Sequence, residues 1–133
     1  MAISFTEPLR ELSARLKGDA SLTALVPASR IANHLPQNSP LPYVRFRYDP
    51  GDEWDQKDSD GLDGSFIIDI WSETHSDKPI LDVMSEVHRL LQNYIFNTTE
   101  QSLLMRFVNS TTFYEPDGVT HHGVMNFRYI QTT

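Results

Sequence analysis

Few side chains in this sequence are typed and spaced for chemistry. His121 and His122 are adjacent, with Asp117 just upstream, which invites a metal or acid–base reading. Between turn signals the segment reads as strand, and neighbouring strand residues point to opposite faces, so the two imidazoles do not converge on one ion. His34, His75 and His88 stand far away in sequence, and no HExxH spacing occurs. Asp58-Ser59-Asp60-Gly61 suggests a calcium loop. With Gly61 as the sharp-turn glycine, Gln56 takes the first ligand position and Ile67 the twelfth, where an EF-hand needs acids. Ser59 and Ser65 lie near glycines but outside any GxSxG, and neither GxxxxGK[ST] nor GxGxxG is present. The chain has no cysteine, which excludes disulfides, zinc thiolates and thiol catalysis. Neither an enzyme nor a cofactor or metal is expected.

Charge narrows the classes further. The net charge is −7, and residues 49–63 hold seven acids against Lys57, so this stretch alone carries −6. Arg45, Arg47, Arg106 and Arg128, with Tyr43, Phe46 or Trp71 as stacking platforms, would make a nucleic-acid patch. The missing basic excess favours pairing of these arginines with acids of a neighbouring subunit. No apolar run reaches the ~18 residues of a membrane span, and no signal region opens the chain.

The elements that must position these residues are organised around GSFIIDIWS, Gly64 to Ser72. Alternation places Phe66, Ile68 and Ile70 on one face and Ile67, Asp69 and Trp71 on the other. A helical run follows from Asp77 to Ile95, its stripe made by Ile80, Met84, Val87, Leu91 and Tyr94. Upstream, Thr6 is placed to cap a helix bearing Leu9, Leu12 and Leu16, Gly18 ends it, and Asp19 caps a short second helix to Leu25. A brief strand is expected within Arg30–Leu35. A clearer one starts at Pro42, with Val44, Phe46 and Tyr48 on one side and Tyr43, Arg45 and Arg47 on the other, and stops at Pro50-Gly51. Residues 49–63 are expected as a mobile acidic loop, and Asn97–Gln101 as a polar turn. Strands near Leu103–Phe113 and Val119–Ile130 close the chain around Glu115-Pro116-Asp117-Gly118.

One α+β domain follows, spanning residues 1–133: an antiparallel or mixed sheet of four to five strands with two main helices packed on one face. The uncovered face would carry Tyr43, Arg45, Arg47, Ile67, Asp69 and Trp71, with arginine and aromatic residues from the last hairpin. Large apolar groups mixed with arginine and acid have the composition of a protein interface, so oligomerisation or a protein partner is expected.

The order of the pieces resembles the siphophage tail-completion family, which includes tail terminators (head-to-tail joining proteins) and a component of gene transfer agents. The similarity rests on Arg30-Ile31, His34-Leu35-Pro36-Gln37, Leu41-Pro42-Tyr43-Val44, Trp54-Asp55-Gln56-Lys57, Asp60-Gly61 and Ile70-Trp71-Ser72. Its strongest part is the closing FYEPDGVTHHGVMNFR, Phe113 to Arg128. The resemblance implies a virion protein, made in the host cytoplasm, that forms a ring, typically of six subunits, on the head-proximal end of the tail tube. Such a ring stops tube polymerisation, meets the tube protein, and docks the head-completion or connector protein. DNA passes through its lumen without specific binding. Trp71 and Arg128, with Tyr43, Arg45, Arg47, Ile67, Asp69 and Arg106, are then expected at subunit or partner contacts. Asp52, Glu53, Asp55, Asp58 and Asp60 would face the lumen or a partner. Another small connector or minor tail component, and a small nucleic-acid-binding protein, are the competing readings.

Overall fold

The computed structural model describes residues 3–36, 38–56, 59–73, 76–98 and 101–133, apart from the side chains of residues 55, 56 and 59. Helix α1 (Glu7–Lys17) opens with Pro8 in its first turn, where no N–H is needed, and buries Leu12 and Leu16. Thr6 holds the N-cap position without a side-chain capping bond; the Ser4 hydroxyl accepts from the Glu7 N–H instead, at 3.2 Å. Asp19 does cap α2 (Ala20–Leu25), accepting from the Leu22 N–H at 2.9 Å. A 3-10 turn at Ala28–Arg30 leads into the two-residue strand β1 (Ile31–Ala32).

β2 (Tyr43–Gln56) and β3 (Ser59–Glu73) form one long antiparallel hairpin. The expected end of β2 at Pro50-Gly51 is therefore corrected. The strand continues through a register shift between Asp49 and Asp52, with Gly51 at φ 73° absorbing the extra residue. Pro50 is tolerated because β1 covers β2 only at Val44 and Arg45, leaving this part of the strand on a sheet edge. Most of the stretch expected as loop is thus paired strand; Lys57 and Asp58 lie outside the described residues.

Helix α3 (Lys78–Leu91) is shorter than the expected run to Ile95. Asn93 adopts a left-handed φ of 56°, and β4 (Tyr94–Asn97) follows. Tyr94 and Phe96 turn toward the core and Ile95 away from it, so of the helical spacing only Tyr94 keeps an inward place. β5 (Ser102–Tyr114) and β6 (Thr120–Thr132) make the closing hairpin. Its turn is held by the Asp117 carboxylate, which accepts from the Val119 and Thr120 N–H groups at 2.9 and 2.8 Å.

The sheet order is β1-β2-β3-β6-β5-β4, parallel only between β1 and β2. Among the described residues six strands replace the expected four to five, because β4 was hidden in the helical pattern. All three helices share the core with one face, where Val44, Phe46, Phe66, Ile68, Ile70, Met125 and Phe127 meet Leu12, Leu16, Ile80, Val83 and Val87. No helix among the described residues is long and apolar enough to cross a membrane.

Candidate functional site

The helices leave the other sheet face open, and the strand register orders its side chains into rungs. The first rung is Tyr43, Trp71, His122 and Phe113, on β2, β3, β6 and β5 in turn. Its rings form a row: Tyr43 and Trp71 centroids lie 4.8 Å apart, Trp71 stacks on His122 at 4.2 Å, and Phe113 is 4.8 Å from His122. The second rung is Arg45, Asp69, Val124 and Thr111, and the third Arg47, Ile67, Asn126 and Asn109. The fourth is Asp49, Ser65, Arg128 and Arg106.

Asp69 is the hub of this face. It is only 1% exposed, so its charge must be matched inside the chain. Its Oδ2 accepts from Arg47 Nε at 2.9 Å and Arg45 Nη2 at 3.2 Å, and its Oδ1 lies 3.0 Å from His122 Nε2. The other ring nitrogen of His122 is 3.0 Å from Glu115 Oε1, which the Trp71 indole N–H also reaches at 3.4 Å. The Arg45 guanidinium lies 5.0 Å from the centre of the Trp71 ring, a cation–π contact. Charge and aromatic surface are thereby locked together over four strands.

This network leaves little for catalysis to use. Both Asp69 oxygens are engaged, and both nitrogens of His122 face carboxylates. His121 sits on the opposite, helix-facing side, stacked on Tyr114 at 4.3 Å with 3.9 Å from its Nε2 to Asp77. The two histidines diverge as strand alternation demands. Among the described residues no group of three or more His, Asp or Glu side chains is placed to hold a metal ion.

Of the remaining expected residues, Arg106 and Arg128 lie on this same face, whereas Glu53 stands opposite the buried Leu62 on the other. Arg128 binds Asp63 through Nε at 2.8 Å and through a second guanidinium nitrogen. This contact holds the Asp63 carboxyl below the usual carboxylate range. Arg45, Arg47 and Arg128 thus find acids in their own chain; Arg106 is exposed and pairs with none among the described residues. Asp52 pairs across the hairpin with Asp63, Glu53 with Leu62, and position 55 with position 60. Asp58 lies outside the described residues. Sequence reasoning missed Glu115 and Asp63 as partners and His122 as the link to Asp69. Only cross-strand register could have supplied them, since alternation gives a face without giving a neighbour.

Over residues 10–132 the sequence matches the family described as Tail completion protein gp17. The chain belongs to that family. The resemblance read from its short motifs is therefore shown, across nearly the whole length. Its fold is similar to that of a chain in the solved "Virion of native gene transfer agent (GTA) particle", with a TM-score of 0.74 at 20% identity over 92% of each chain. No curated protein sequence matches it. In this tail-completion protein the open, networked sheet face is the candidate interaction surface.

Proposed function

We propose that this protein is a tail terminator, a virion component that assembles as a ring of six copies, as is typical of the family, on the head-proximal end of the tail tube. The ring stops tube polymerisation and presents the surface on which the head-completion or connector protein docks. The observation that carries this reading is the family match over residues 10–132. The likeness to a chain of a gene transfer agent virion agrees with it at the level of fold.

The physical features suit such a role. The open face mixes an aromatic row with matched charges, the composition of an interface core with a polar surround. The β2–β3 hairpin carries Asp52, Glu53, Asp55 and Asp60 to one end of the sheet. In a ring whose lumen passes DNA, acid at the channel repels phosphate and keeps the polymer moving. The test is electron microscopy of particles made without this chain. Filled heads beside unattached tails, many of them overlong, are the expected result. Tails of normal length joined to heads would end the terminator reading.

A further inference from the structure

Three arginines on the open face are matched inside the chain, Arg45 and Arg47 by Asp69 and Arg128 by Asp63. Arg106 is the exception. It is exposed, makes no ion pair or hydrogen bond among the described residues, and stands directly across from Arg128. Like charges directly opposite on a sheet destabilise it unless a counter-charge is supplied. The rung that holds Arg106 runs through Arg128 and Ser65 to Asp49 at the far side of the sheet. Asp49 is exposed, and its Oδ1 accepts from the Gly51 N–H at 3.1 Å, while Oδ2 has no hydrogen-bond partner among the described residues.

Both ends of this rung are sheet edges. β4 pairs with β5 only as far as Met105, one residue short of Arg106. β1 pairs with β2 only at Val44 and Arg45, short of Asp49. Three antiparallel pairings separate β2 from β5, so the two edge strands run in opposite directions. Copies related by rotation about an axis along the strands would therefore set β5 of one antiparallel to β2 of the next. Arg106 and Asp49 would meet at one height and on one face. A two-fold contact joins identical edges and offers Arg106 no such acid, whereas a head-to-tail contact is the kind that closes rings.

We propose that Arg106 of one copy pairs with Asp49 of the next, so that the occupant of the β5 edge is the β2 edge of a second copy of this chain. The proposal rests on the ring reading and supplies its subunit contact. The test is self-association of the purified protein, followed by sedimentation and by counting rings on isolated tail tubes. Arg106→Asp and Asp49→Arg should each weaken association by about tenfold or more. The double variant Arg106→Asp/Asp49→Arg should restore it to within about threefold. Asp49→Asn, which keeps an acceptor for the Gly51 N–H, should weaken association without disturbing the hairpin. Wild-type rings that tolerate either reversal, or folded double variants that stay unassembled, would overturn the contact and leave the ring standing. Wild-type protein that forms no ring in solution or on tubes would overturn the ring reading and the contact with it.

Discussion

Asp69 shows how one buried acid organises a face. Alternation alone places it with Tyr43, Arg45, Arg47, Ile67 and Trp71, and the register sets these on adjacent rungs. Its partners were not legible, because an arginine on an open face looks equally available to a neighbour or to an acid in its own sheet. Burial settles the matter: a carboxylate 1% exposed must take the nearest donors, and these are Arg45, Arg47 and His122. Asp69→Asn keeps the shape and removes the charge. Arg45 and Arg47 side chains are 38% and 51% exposed, so water compensates part of the loss. The variant should lose about 2 kcal/mol of stability, below the range for a fully buried pair. Urea unfolding measures it, and a change under about 0.5 kcal/mol would show that the network contributes little.

The β2–β3 hairpin is the element on which sequence reasoning and structure differ most. Pro50, Gly51 and a dense run of acids carry every local sign of a loop. Pairing with β3 overrides them: the bulge absorbs Pro50-Gly51, and the strand resumes at Asp52 opposite Asp63. β4 escaped notice for a different reason: Tyr94 and Ile95, three and four residues after Leu91, continue a period of 3.6, whereas the strand instead turns Tyr94 and Phe96 inward. The closing hairpin was plain because its turn chemistry is local, in Asp117 and Gly118. Two glycines separate local strain from packing. Both Gly51 and Gly118 have φ 73°, but a Cβ on Gly51 would lie 2.0 Å from the Asp63 carbonyl oxygen, while one on Gly118 meets nothing within 4 Å. Gly118→Ala should cost about 1 kcal/mol from backbone conformation alone. Gly51→Ala should cost at least about 2 kcal/mol, because the clash adds to the same strain. Equal thermal shifts for the two would contradict the bulge as the pin of the hairpin.

At the scale of the whole molecule the sheet has two unlike ends. The aromatic row of Tyr43, Trp71, His122 and Phe113 lies at one, and the acidic hairpin at the other. A strand of this length separates them by about 40 Å. Such a polarity suits a protein that meets one partner above and another below, and its lateral edges carry the opposite charges of Arg106 and Asp49. Composition revealed the acid, and the short motifs revealed the family. The polarity itself needed the register, which no local pattern encodes. The most direct test of the terminator account is the length of tail tubes assembled from purified tube protein with and without this chain, read by negative-stain microscopy. The account predicts tubes that stop growing and carry a ring at one end when the chain is present. Tubes of unchanged length with bare ends would contradict it.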